Sequence, residues 1–293
     1  MSGESAFIDL LRGLPLHPGA RGLDDDAAVL EVGGETLVLT HDMLVEGIHV
    51  LPGQDPADVA WKLVATNLSD LAAKGAEPMG VLVGYMLGAD DARFLEGLRE
   101  VLSTYNTPLL GGDTVSGGPP RSFGLTAIGR ATHVPVPSRS GARPGDAIYV
   151  TGPLGAALAG FEALQAGNLN TALPYRRPVP LLAEGRALAP IVGAMMDVSD
   201  GLLLDSWRMA KASGTTFAID RSAPPIVLPE ARRDEALRWG DDYQLLFTMP
   251  DGVEPPVPAT RIGKVKARAD DAPLVLDGTP ISSPEGLGYS HGG

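Results

Sequence analysis

The chain has 293 residues, a formal charge of −13, 44% hydrophobic and 20% charged residues, and no cysteine. That length holds one large domain or two ordinary ones, and the apolar fraction excludes a wholly disordered chain. The missing cysteines exclude disulfides, thiolate zinc sites and cysteine nucleophiles; the absence of 18 consecutive apolar residues excludes a membrane-spanning helix; and the acidity argues against nucleic acid or an anionic membrane as partner.

The start, Met1-Ser2-Gly3-Glu4-Ser5, lacks the basic region and apolar stretch of a secretory signal, so a cytoplasmic location is expected. Ala27 to Val32 and Thr36 to His41, joined through Gly33-Gly34, predict a β-hairpin. Pro56 to Ala76 predicts a long helix, Met79 to Leu87 a strand, Asp90 to Asn106 a helix, Leu109 to Gly111 a short strand and Arg121 to Thr132 another strand. His133 to Asp146 is rich in proline and glycine and marks the expected domain boundary. Beyond it, strands are expected at Ala147 to Thr151 and Ile191 to Met196, and helices at Gly155 to Ala166, Pro180 to Ala189 and Leu202 to Ser213. Strand-like runs follow at Thr215 to Ile219, Tyr243 to Thr248, Thr260 to Val265 and Pro273 to Leu276. Strands and helices mix without strict alternation, which favours two α+β domains, 1–136 and 137–293, over one doubly wound sheet.

The chain has no G-x-x-x-x-G-K-[ST] loop, no G-x-G-x-x-G opening a helix after a strand, and none of the protein-kinase elements. It has aspartates at the ends of elements instead. Asp24-Asp25-Asp26 leads into the first strand and Asp42 is expected to end the second, with Thr40 and Asp42 on one face and His41 opposite. Asp113 follows Gly111-Gly112, Asp197 and Asp200 flank Ser199 between a strand and a helix, and Asp241-Asp242 precedes a strand. Singly, each suits a turn or a helix N-cap.

Asp70 is different. On the long helix the apolar stripe runs Ala60, Leu63, Val64, Leu68, Leu71; Asn67 falls inside it, Asp70 on its flank, and Ser69 faces away. An exposed Asp70–Lys74 pair, worth about 0.2–0.5 kcal/mol, leaves Asn67 unexplained. Burying such groups is costly unless they are satisfied, so a polar site is expected against this helix. Hard oxygen ligands gathered from several elements suit Mg²⁺, several ions of which could surround a polyphosphate. Gly111-Gly112 would let backbone approach phosphates; Thr151 to Gly155 offers the same at a helix N-terminus, where a plain strand-to-helix turn is the simpler reading.

At these residues the sequence resembles the thiamine-monophosphate kinases, of the superfamily that includes aminoimidazole-ribonucleotide synthetase and selenophosphate synthetase. The resemblance is carried, in order, by Asp25-Asp26-Ala27-Ala28-Val29, Thr40 to His49, Asn67 to Ala73, Gly111-Gly112-Asp113-Thr114, Arg139-Ser140-Gly141-Ala142, Asp197 to Leu202 and Gly240 to Leu245. It implies an N-terminal mixed α/β domain that forms a sheet or barrel in a homodimer, with a C-terminal α+β domain behind it. It further implies direct, Mg²⁺-assisted phosphorylation of thiamine monophosphate by ATP. By position, Asp26, Thr40, Asp42, Asp70, Asp113, Asp197 and Asp200 would be metal ligands; Tyr105, Gly112, Asp113, Arg139 and Ser199 would contact ATP; His49, Asp241 and Tyr289 would approach thiamine phosphate. No residue is assigned as a general base, which fits an acceptor phosphate that is already anionic.

The chain departs from the family pattern at several points. His41 replaces a serine or threonine, Asp241 a glutamate, His49-Val50 a His-Phe pair, and Gly288-Tyr289-Ser290-His291 only loosely matches the family's aromatic ending. Two other readings stay open: another ATP-using enzyme of the superfamily, and a non-catalytic protein that binds divalent ions. A cysteine-free chain disfavours selenophosphate synthetase.

Overall fold

The computed structural model describes residues 3–268 and 271–290. Ala28–Val32 (β1) and Glu35–Val45 (β2) form the expected hairpin, with Gly33 and Gly34 at φ 59° and 88° as a tight hairpin turn requires. β2 does not end at Asp42. Ser122–Ala131 (β5) pairs with it from Leu37↔Arg130 to Val45↔Ser122, so partner strand rather than local pattern sets its length. Alternation holds along it: Thr40 is buried, while His41 is exposed with Nδ1 2.9 Å from Thr126 Oγ1.

Pro56–Ala73 (α2) is capped by Asp55, whose side chain accepts from the Ala57 N–H at 3.0 Å. It ends three residues earlier than expected because Gly75, at φ 60°, turns the chain directly into Ala76–Met86 (β3). Asp91–Thr104 (α3) packs on α2, and Leu109–Val115 (β4) runs parallel to β3 as far as Met86↔Val115, beyond the expected end at Gly111. The first sheet has the order β1-β2-β5-β3-β4.

The second sheet is built from Ala147–Val150 (β6), Ala194–Asp197 (β7), Thr215–Ile219 (β8), Leu245–Met249 (β9), Thr260–Ala267 (β10), Leu274–Leu276 (β11) and Thr279–Ile281 (β12), in the order β12-β11-β8-β10-β6-β9-β7. Around it lie helices Ala156–Gln165, Leu173–Arg176, Leu182–Leu188, Leu202–Ala212 and Arg233–Arg238. The fold is therefore mixed α/β with two sheets, as expected. The sequence reading did not anticipate the first helix, Gly3–Leu11 (α1), the short helices Leu173–Arg176 and Arg233–Arg238, or β12. Among the described residues no helix is long and apolar enough to cross a membrane.

α2 lies between the halves. Leu63, Leu68 and Leu71 join the core of the first sheet, while Ala72 and Ala73 pack with Ala147, Tyr149, Met195 and Phe247 of the second. Every residue from Ala57 to Ala73 is consequently buried. Ser69, which faces away from the apolar stripe, is buried too and donates to Asp197 Oδ2 at 2.5 Å.

Candidate active site

Asp42, Asp70 and Asp197 come from β2, α2 and the end of β7, and they line one cavity of about 640 Å³ together with Asp26, Arg139, Ser199 and Asp200. Asn67 explains the polar interruption of the helix stripe. Its Oδ1 accepts from the Asp42 N–H at 3.0 Å and its Nδ2 donates to the Leu63 carbonyl at 2.9 Å, so a buried amide ties α2 to β2 beside the acid. Thr40 Oγ1 donates to Asp70 and lies 3.3 Å from the Asp26 carbonyl.

The acids fall into two electrostatic groups. Burial raises the Asp70 carboxyl well above the ordinary range, and Asp42, Asp197 and Asp26 push it further. Burial likewise lifts Asp197 to about 8, with repulsion from Asp26, Asp205 and Asp42 outweighing the Ser69 hydrogen bond. For Asp25 and Asp26 burial also acts upward, but the cations around them win and both carboxyls are lowered. Oxygens of Asp26, Asp70 and Asp197 lie within 4.8 Å of one another, a hard-donor set suited to a divalent cation.

This predicts a pH effect of definite sign. Asp197 ionises near 3.8 when unfolded and near 8 when folded, so the metal-free folded chain binds the extra proton in between. Its stability should fall by about 1.4 kcal/mol per pH unit for each such group as pH rises through that window. Melting curves at pH 5, 6.5 and 8 check it: metal-free protein should melt lower at higher pH, and Mg²⁺ should abolish the decline. A metal-free melting temperature that rises across the window contradicts it.

The far wall carries the second group of residues. Asp241, at φ 65°, receives Lys62 Nζ at 2.7 Å on one oxygen and the Tyr243 hydroxyl at 2.9 Å on the other. Lys62 is fully buried, also donates to the His49 carbonyl at 3.0 Å, and lies 3.9 Å from the Tyr175 ring centroid. The Tyr175 hydroxyl donates to the same carbonyl at 3.0 Å. His49 Nδ1 accepts from the Val45 N–H at 3.0 Å, which fixes the neutral ring as the Nε2–H tautomer; its edge meets Tyr289 with centroids 6.4 Å apart. Gly240 must be glycine, because a Cβ there would sit 2.1 Å from the Ser199 carbonyl oxygen. The 240–244 loop can thus lie on the 197–201 loop, with the Asp241 N–H donating to that oxygen at 2.8 Å.

Asp26, Asp42, Asp70, Arg139, Asp197, Ser199, Asp200, His49, Asp241 and Tyr289 all line the cavity, with Thr40 directly behind Asp70. Tyr105, Gly112 and Asp113 do not. Tyr105 follows α3 and packs edge-on against Trp61, 5.9 Å between centroids. Gly112 and Asp113 lie in β4, an exposed edge strand, and a Cβ on Gly112 would sit 2.0 Å from the Val83 carbonyl oxygen. The neighbouring strand therefore already requires that glycine. The helix N-terminus at Gly155 is filled by Asp242, which accepts from the N–H groups of Gly155 at 2.6 Å and Ala157 at 3.0 Å. The sequence reading gives no role at the site to Lys62, Lys74, Tyr175, Asp205 or Arg208. Asp205 is buried at the start of its helix and accepts from the Ser199 and Asp200 N–H groups, shaping the loop, and Arg208 pairs with Asp200.

Residues 24–131 match the family described as AIR synthase related protein, N-terminal domain, and residues 143–275 match its C-terminal domain. The thiamine-monophosphate kinase of Salmonella typhimurium is 38% identical over 302 residues, covering 92% of this chain and 91% of that protein. The chain belongs to the thiamine-monophosphate kinase family. A solved structure of AaThiL complexed with AMPPCP and TMP superposes with TM-score 0.84 at 29% identity, covering 99% of this chain and 97% of that one. The Aquifex aeolicus thiamine monophosphate kinase crystal structure gives TM-score 0.78 at 28% identity, covering 96% and 99%. The family's two domains coincide with the two sheets, and the cavity lies where both contribute residues.

Proposed function

We propose that this protein transfers the γ-phosphoryl group of ATP directly to the phosphate of thiamine monophosphate, giving thiamine diphosphate and ADP. The observation that carries the reading is the meeting of the acidic cluster and the His49–Asp241–Tyr289 wall in one cavity. It occurs in a chain that matches AaThiL, complexed with AMPPCP and TMP, over almost its whole length.

The donor set fits Mg²⁺: Asp70 and Asp197 are buried carboxylates that accept from the hydroxyls of Thr40 and Ser69, and both are charged only at a cost. Asp26, Thr40, Asp42, Asp70, Asp113, Asp197 and Asp200 would hold the ions. When bound, Mg²⁺ neutralises the polyphosphate and orients its terminal group. Arg139 and Ser199 bind the nucleotide from the C-terminal side; the roles that the resemblance implies for Tyr105, Gly112 and Asp113 need contacts that the cavity of a single chain does not supply. His49 offers Nε2–H to the acceptor, Asp241 is held toward the cavity by Lys62 and Tyr243, and Tyr289 covers it. The acceptor oxygen is already anionic, so these residues position it rather than deprotonate it.

A homodimer belongs to the same reading. Leu109, Leu110 and Val115 on β4, with Leu82 on the adjacent β3 and Met43 on β2, are large apolar side chains left exposed, and covering β4 with a second copy would bury Gly112 and Asp113 at the interface. The division at 136/137 and a cytoplasmic location also form part of it. In light scattering the particle should have twice the 30.4 kDa chain mass.

The reading is tested by ADP release. Thiamine monophosphate should stimulate it in the presence of Mg²⁺, whereas unphosphorylated thiamine should not; equal release with either, or none, contradicts the reading. Lys62→Met should raise the KM for thiamine monophosphate by about tenfold, the loss of roughly 1.4 kcal/mol of charge-assisted positioning, with the KM for ATP unchanged. An equal rise in both constants would show that Lys62 acts on the site as a whole.

A further inference from the structure

Lys74 ends α2 with no exposed surface, and its three donors have three acceptors: Asp25 Oδ1, Asp26 Oδ2 at 2.7 Å and the Met195 carbonyl at 3.3 Å. Arg21 takes Asp25 Oδ2 and Arg139 takes Asp26 Oδ1. All four oxygens of the Asp25–Asp26 pair are therefore held by side-chain cations. At the other end of the cluster, Asp70 and Asp197 have no basic partner among the described residues and accept from hydroxyls of Thr40 and Ser69. Yet the oxygens of Asp26, Asp70 and Asp197 lie within 4.8 Å of each other. One acidic constellation thus has a compensated end and an uncompensated end.

We propose that the Lys74 ammonium is a resident cation of this cluster, standing at its Asp25–Asp26 end where a divalent ion would otherwise sit, so that the chain binds one divalent ion fewer than the same cluster would without the lysine. The inference rests on the Mg²⁺ reading above. A buried ammonium with every donor satisfied is fixed in place by the end of α2 and by both domains, and it cannot be exchanged for solvent cations. A divalent ion brought onto the same oxygens would face its charge at close range with little solvent between them. Arg139 differs. Its Nε is buried without a hydrogen-bond partner, so its present pairing is incomplete and its guanidinium is the cation available to leave Asp26 for a nucleotide phosphate. Its departure would free Asp26 Oδ1 while Lys74 keeps Oδ2, and Asp26, Asp70 and Asp197 would be the residues to hold an ion there. Lys74 is a positioning residue: it touches carboxylates of the cluster and lies outside the cavity lining.

The test is the number of Mn²⁺ ions bound per chain, read by electron paramagnetic resonance of free Mn²⁺ in titrations of the full chain with AMPPCP present. Lys74→Met should bind one more ion than wild type. An equal or smaller number in the variant overturns the proposal, since a purely structural lysine leaves the count unchanged. Wild type that binds no Mn²⁺ at all would overturn the metal reading itself, a separate result. If Lys74→Met is unfolded without metal, saturating Mn²⁺ should restore its cooperative melting; a variant that stays unfolded in Mn²⁺ overturns the proposal as well.

Discussion

Asp70→Asn should lower kcat by about 10²–10³-fold while raising the melting temperature of the metal-free protein. The loss is that of one preorganised charge at a site where charge develops and is neutralised. The gain follows from what the carboxylate faces: it is buried, and Asp42, Asp197 and Asp26 all disfavour its ionised form. Asparagine keeps an oxygen for Thr40 and removes that repulsion, for an increase of about 0.5–2 kcal/mol. Opposite signs for stability and turnover mark a residue kept for chemistry. A variant that is less stable yet turns over normally would show that Asp70 serves the fold alone. Asp42→Asn, on the neighbouring strand, should show the same loss of turnover with the fold intact.

Asp58→Ala should cost about 3 kcal/mol of stability, measured by the shift in denaturant midpoint at constant slope. Asp58 lies fully buried in the first turn of α2 and accepts from Arg176 Nε at 2.5 Å and Arg177 Nε at 2.6 Å. Removing it leaves two guanidiniums facing each other where α2 meets the C-terminal half. Both arginines keep some exposure, 14% and 20%, which places the cost at the lower end of the range for a broken buried pair. Arg177 also lies over the Trp61 ring, 5.0 Å from its centroid, so the disturbance should reach Trp61 and quench or shift its fluorescence before global unfolding. A loss below 1 kcal/mol would mean that the arginines find solvent or Glu100 at little cost.

How much of this was legible in the sequence differs from residue to residue. α2 was, because its cap, its opening proline and its apolar stripe are all local, and Asn67 stood out because an amide in that stripe must find partners. The partners proved to be the Asp42 N–H and the Leu63 carbonyl. The role of Lys74 was not legible, for the complementary reason. Its nearest acid by helical spacing is Asp70, but its partners, Asp25 and Asp26, are almost fifty residues upstream and are brought to it by the tertiary fold. Ser69 was unreadable as a functional contact until the second sheet placed Asp197 against it. β2 ran past Asp42 because β5 pairs it to Val45, and no local turn signal could announce that. Asp242, next to Asp241 in sequence, fits the plain N-cap reading instead: it fills the helix N-terminus at Gly155. Asp113 and Gly112 carry a family motif on an exposed edge, where a single chain gives them no partner in the cavity.

The central claim is transfer of the γ-phosphoryl group of ATP to the phosphate of thiamine monophosphate. It is tested by mass spectrometry of the products formed from thiamine monophosphate and ATP carrying ¹⁸O in the γ-phosphoryl group, incubated with purified protein and Mg²⁺. The account predicts thiamine diphosphate with the labelled oxygens in its terminal phosphate, formed one for one with ADP. Labelled inorganic phosphate released without thiamine diphosphate would contradict it.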